Sequence, residues 1–135
     1  MSYAIAAALQ AAIYQRLQED AELGALVGDA IYDAVPAGTV TGTFVSLGPE
    51  DARDASDKTG DGAVHDFIVS VVTDEAGFQL AKQVAEAISD ALAPGDLALT
   101  RGHLVGLWFV KAKARRVDKG ETRRIDMSFR ARVES

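Results

Sequence analysis

His65 and His103 are the only imidazoles in this 135-residue chain, and neither stands where a metal centre would need it. There is no His-x-x-x-His or His-x-His spacing, and no Asp or Glu at helical distance completes a ligand set. Serine catalysis lacks its Gly-x-Ser-x-Gly elbow, and Ser46 falls in a predicted strand just ahead of Gly48-Pro49. Glu19-Asp20 and Asp74-Glu75 are acid pairs, but at predicted helix starts such residues serve as caps and dipole partners. Gly60-x-Gly62 has neither the third glycine of a dinucleotide loop nor a following Lys-Ser/Thr, and reads as a turn. The run Asp54-x-Ser56-x-Lys58 resembles the start of a calcium loop, yet it puts lysine at a ligand position and ends without glutamate. With no cysteine in the chain, thiolate ligands, disulfides and a cysteine nucleophile are excluded. These residues predict no enzyme, no cofactor and no metal.

The constellation with weight is cationic. Residues 1–100 hold 4 Lys/Arg against 16 Asp/Glu, a net −12, whereas residues 101–135 hold 10 against 4, a net +6. A split of this size predicts a surface that meets opposite charge. Lys111, Lys113 and Arg115 alternate on one predicted strand and Arg123, Arg130 and Arg132 lie on the next, so cross-strand pairing gathers them as a candidate interface. The same reading sets all six opposite Ile125, Met127, Phe129 and Val133. It also groups Trp108 with Val110, Ala112 and Ala114. Spaced Lys/Arg is all that phosphate contact requires, so a small nucleic-acid-binding module is the alternative. Against it stand the absence of interleaved outward aromatics and a pI near 4.8. An assembly surface, basic on one subunit and acidic on its neighbour, is the preferred reading.

The elements that must carry these residues follow from periodicity. Ser2 is a candidate N-cap for a helix to about Gln18, with Ile5, Leu9, Ile13 and Leu17 as its apolar stripe. Asp20 caps a further turn that Gly28 ends. Residues 31–35 form a short strand, Pro36, Gly38 and Gly42 break the chain, and 43–47 form a second strand stopped by Gly48-Pro49. Residues 49–62 offer five acids (Glu50, Asp51, Asp54, Asp57, Asp61) and no large apolar side chain, which predicts a mobile acidic loop. Residues 64–73 are apolar on both faces from 67 to 72, as in a central strand covered on each side. Thr73 or Asp74 caps a helix to about Ala93 that buries Leu80, Ala81, Val84, Ile88, Ala91 and Leu92, and Pro94-Gly95 ends it. Residues 103–117 and 122–133 make a long hairpin about Asp118-Lys119-Gly120.

The expected fold is therefore α+β: one domain over residues 1–135, a mainly antiparallel sheet with a long C-terminal β-hairpin, packed by two main helices. An apolar fraction of 48% and a charged fraction of 25% are ordinary for a globular chain. No apolar run approaches membrane-spanning length, and the N-terminus lacks the basic start of a signal peptide.

One stretch is more specific. The end of a helix at Leu26-Val27-Gly28-Asp29, then Ile31-Tyr32, Val35-Pro36 and the strand Phe44-Val45-Ser46-Leu47-Gly48 resembles the tail-terminator (tail completion) proteins of long-tailed phages and phage-derived gene transfer agents. The resemblance implies a structural virion protein, assembled in the host cytoplasm and resident in the particle's tail. It implies a ring of six copies that caps the head-proximal end of the tail tube and stops its polymerisation. Its partners would be other copies of itself, the major tail protein and the head-side connector or stopper. DNA would cross the lumen without specific binding, and no membrane would be involved. The acidic loop 49–62 would line that channel or order against the connector.

Overall fold

The computed structural model describes residues 3–36 and 41–135. Ser2 and Gly38 lie outside the described residues. Helix α1 (Ala6–Glu19) follows a turn at Tyr3, and its N-cap position is held by Ile5, which makes no side-chain cap. Ile5, Leu9, Ile13 and Leu17 are all buried, so the four-residue stripe is its packing face. Helix α2 (Ala21–Val27) is capped by Asp20, whose carboxylate accepts from the Leu23 N–H at 2.9 Å. It closes at Gly28, where φ is +64° and the N–H donates to the Gly24 carbonyl.

Strand β1 (Ile31–Tyr32) is two residues long, against the expected five. The chain leaves the sheet at Asp33, which accepts from Gln10 at 2.6 Å, and Pro36 has no N–H for a ladder. β1 lies parallel to β2 (Thr43–Asp54). β2 runs straight through Gly48-Pro49, correcting the expected stop. A bulge between Leu47 and Glu50 absorbs the proline. β1 pairs only with Val45 and Ser46, so Pro49 faces an outer edge where its missing donor removes no bond.

Half of the mobile loop expected over 49–62 is sheet. Glu50, Asp51 and Asp54 are on β2, which pairs antiparallel with β3 (Gly62–Thr73) from Asp54↔Ala63 to Thr43↔Thr73. Only Asp57 and Asp61 of the five acids sit in the turn. Asp57 accepts from the N–H and hydroxyl of Thr59, both at 2.8 Å, and from the Gly60 N–H, while Asp54 accepts from the Ser56 hydroxyl at 2.6 Å. Local side-chain to backbone bonds do here what apolar anchors do elsewhere. They also occupy the carboxylates of the calcium-like run.

After β3 the chain turns at Gly77 (φ +86°) before α3 (Gln79–Leu92) begins. Thr73 and Asp74 are therefore not helix caps. The Thr73 hydroxyl accepts from Glu75 N–H, and Asp74 accepts from Gly42 N–H at 2.9 Å, closing the loop ahead of β2. α3 buries Ala81, Val84, Ala87, Ile88, Ala91 and Leu92, with Leu80 at the margin. The hairpin is as expected: β4 (His103–Val117), a left-handed turn at Asp118 and Lys119, and β5 (Thr122–Glu134).

The sheet order is β1-β2-β3-β5-β4, antiparallel except at β1. Phe67, Val69 and Val71 of β3 and Ile125, Met127, Phe129, Ala131 and Val133 of β5 form one core with the helices. Helices cover that face alone, so the expected second cover over β3 is corrected. On the open face Ile68 is half-buried, and Ser70 lies beneath Asp126 and Arg124.

Gly102 fixes how the N-terminus meets the hairpin. Its φ is +73°, and a Cβ there would lie 2.5 Å from Ile5 Cδ1 and 2.7 Å from the Glu134 carbonyl oxygen. Gly102→Ala is expected to destabilise by about 2–3 kcal/mol through overpacking and backbone strain, readable from urea unfolding midpoints.

Candidate assembly surface

The open face of the sheet carries two charge clusters. In one, Asp66 accepts from Arg130 Nε and from Arg53 Nη1, each at 2.7 Å. In the other, Asp126 accepts from the Ser70 hydroxyl at 2.6 Å and Arg124 Nε at 2.8 Å, and Arg115 Nη2 lies 3.3 Å from its second oxygen. The registers dictate this: Asp66 is opposite both Asp51 and Arg130, and Asp126 is opposite both Ser70 and Lys113.

These contacts set the acidity of both carboxyls. The Arg130 hydrogen bond is the main cause that holds Asp66 below the usual carboxylate range, with Arg53 adding to it against partial burial. Burial pushes Asp126 up most, but Ser70, Arg124 and Arg115 together outweigh it, and its net shift is also downward. Folding thus lowers the proton affinity of both groups. The stability they contribute is full above about pH 4, where the unfolded chain's carboxyls ionise, and is lost as pH falls through the lower folded values. Urea midpoints are expected to fall between neutral pH and about pH 3, with Asp66→Asn losing at neutral pH part of what wild type loses in acid.

Of the six predicted interface cations, Lys111, Lys113, Arg115, Arg130 and Arg132 are on the open face. Arg115 and Arg130 are engaged by Asp126 and Asp66, and Arg132 donates to the Ala55 carbonyl at 3.3 Å. Lys111 and Lys113 are exposed, with no side-chain partner among the described residues. Arg123 does not join them. It shares the parity of Ile125, so it lies on the helix-covered side, with its guanidinium 5.9 Å over the Phe78 ring and donating to the Glu75 carbonyl. The predicted grouping of Trp108 with Ala112 and Ala114 also fails. A bulge between Phe109 and Lys111 resets the alternation, so Trp108 opposes Arg130 while Ala112 and Ala114 oppose Met127 and Ile125.

The acids predicted as a group are divided as well. Asp51 and Arg53 share the open face, whereas Glu50 lies on the helix side, where it binds buried His65 at 3.0 Å and the Tyr3 hydroxyl. The Tyr3 ring stacks on His65 at 5.9 Å, tying the N-terminal segment to the sheet. The Glu50 hydrogen bond and charge raise the Tyr3 pKa. His103 is exposed at the start of β4. Among the described residues no group of three or more His, Asp or Glu is placed to hold a metal. Among the described residues no helix is long and apolar enough to cross a membrane.

Sequence reasoning missed Asp66, Asp126, Arg53 and Arg124, although acids flanked by arginines on paired strands were a legible signal. It also missed a run of exposed apolar side chains on β4: Val105, Trp108, Phe109 and Val110.

The helix-backed sheet thus presents charge on its open face and apolar surface on its edge strand. The tail completion protein gp17 family model matches residues 11–134, and the chain belongs to that family of structural tail proteins. A chain solved within the virion of a native gene transfer agent particle is 68% identical, with a TM-score of 0.93 over 99% of this chain and 100% of that one. The comparison with curated protein sequences gives no match.

Proposed function

We propose that this chain is a tail terminator: six copies form a ring on the head-proximal end of the tail tube, ending tube polymerisation and joining the tail to the head-side connector. The observation that carries this reading is the 68% identity, over essentially both full lengths, to a chain of a gene transfer agent virion. The role is structural, with no catalysis. The ring's partners are its own copies, the major tail protein and the connector, and DNA crosses its lumen without being held.

A closed ring needs two different patches per subunit that match each other. Lys111 and Lys113 on the edge strand β4, with Arg115 beside them, supply the basic one, and Asp51 on β2 with the exposed Asp29 and Asp33 about β1 supply an acidic one at the opposite edge of the sheet. A nucleic-acid module is less well supported, because Asp66 and Asp126 engage Arg53, Arg115, Arg124 and Arg130, which leaves Lys111 and Lys113 without a side-chain partner among the described residues, enough for one ion-pair contact but few for a run of phosphates.

Deleting the gene is expected to give tails of uncontrolled length without heads. Electron microscopy of wild-type particles should show the protein as a single layer at the head end. Finding it along the whole tube, or absent from particles, would overturn the reading.

A further inference from the structure

β4 is an edge strand, and the outer side of its apolar run is left uncovered by the described residues. Val105, Trp108, Phe109 and Val110 are each about half exposed, between 46% and 53%. Exposed edges invite indiscriminate pairing, which charges and bulges normally prevent. Here bulges fall at 104–106 and 109–111, and Lys111, Lys113, Arg115 and Arg116 guard the remainder. Residues 106–109 are left open between these guards.

The opposite edge of the sheet has a matching gap. Beyond Ser46, β2 has no outer partner among the described residues. Following the registers across the sheet, Glu50, Phe67, Phe129 and Phe109 stand at one height, as do Asp51, Asp66, Arg130 and Trp108. Lower down, Tyr32, Ser46, Ser70, Asp126 and Lys113 share another. Two copies set edge to edge at equal height therefore bring the open stretch of β4 beside the free stretch of β2. Lys113 then meets β1, which is flanked by exposed Asp29 and Asp33. Because β2 and β4 run in opposite directions within the sheet, the new neighbours are antiparallel. On the helix-covered side, α1 presents a shallow groove lined by Ala7, Gln10, Ala11 and Tyr14 beside the β2 edge. Phe109 is on that side, with its ring edge-on to Phe129 at 5.9 Å.

We infer that β4 of one copy docks head-to-tail on β2 and the outer face of α1 of a second copy, continuing the sheet, with Trp108 level with Asp51 and Phe109 toward the α1 groove. The inference rests on the ring reading and specifies its subunit contact. The contact joins two different patches of each subunit, the heterologous type of interface that forms a ring when its rotation closes. The apolar run supplies burial, while Lys113 against Asp29 and Asp33 fixes register.

The absence of native cysteine makes disulfide trapping specific. Trp108→Cys and Asp51→Cys chains, mixed at high concentration under mild oxidant, are expected to form the 51–108 heterodimer. The doubly substituted chain should form a ladder of multimers ending at the ring. Adding Phe109→Ser should lower the yield roughly tenfold, as loss of a central anchor does. Dominant 108–108 homodimers would mean a two-fold contact and overturn the inference. So would a 51–108 yield no higher than that of Trp108→Cys mixed with Glu22→Cys on the exposed side of α2. A single layer at tail ends without the 51–108 bond would remove this contact and leave the terminator reading standing. A chain that cross-links but is absent from tail ends would do the reverse.

Discussion

Phe129→Ala is expected to cost the subunit about 4 kcal/mol. Phe129 is 2% exposed at the centre of β5, stacked on Phe67 of β3 at 5.6 Å and met edge-on by Phe109 of β4 at 5.9 Å. Truncation removes most of a ring from a site enclosed by sheet and helix, and two aromatic contacts with it. The backbone of a central strand cannot collapse to refill the space, because ladders to β3 and β5's other neighbour β4 hold it on both sides. Phe109→Ser gives the contrast, since that side chain is already half exposed and should cost the monomer only about 1–2 kcal/mol, half the loss or less. Urea unfolding of both variants checks the pair. Similar losses for the two would mean that the outer ring belongs to the core and is not free for a partner.

That distinction marks where sequence stopped being informative. β5 alternates without interruption, so its buried row was legible, as were the four-residue stripe of α1 and the apolar face of α3. Each depends on a period that the chain keeps. β4 breaks its period with two bulges, whose positions follow from how the strand fits β5 rather than from its own residues. The placement of Trp108 therefore failed, although the hairpin around it was found. Residues 49–62 failed for a different reason. Acidic, small-residue sequence reads as loop because it has nothing to bury, yet an edge strand added to β3, itself held by β5, needs only ladder bonds, a polar turn and opposite charge nearby. Arg53 and Arg130 around Asp66 provide that charge. The displacement of Arg123 from the basic face was legible all along, since it shares the parity of Ile125.

The same ion pairs decide which cations can test assembly. Reversing Arg130 would set a carboxylate beside Asp66 and disturb the fold as well as any interface, so it separates nothing. Lys111 and Lys113 are the informative pair, being exposed and free of side-chain partners among the described residues. Lys111→Glu with Lys113→Glu is expected to leave monomer stability within about 0.5 kcal/mol of wild type, as surface changes away from special features do. Ring formation should nevertheless fall by roughly 100-fold, because the attraction of Lys113 to Asp29 and Asp33 of the neighbour becomes repulsion and Lys111→Glu adds a second negative charge beside it, each tenfold corresponding to only about 1.4 kcal/mol. Raising the salt concentration should narrow the gap between variant and wild type, since screening weakens the repulsion in one and the attraction in the other. The measurements are sedimentation of the purified chain across a concentration series and head joining in a tail-assembly reaction, beside a salt-titrated DNA-binding assay. Normal assembly combined with loss of a genuine, salt-dependent DNA affinity would move these lysines from a subunit contact to a phosphate contact, and the nucleic-acid reading would then be the better account of the basic face.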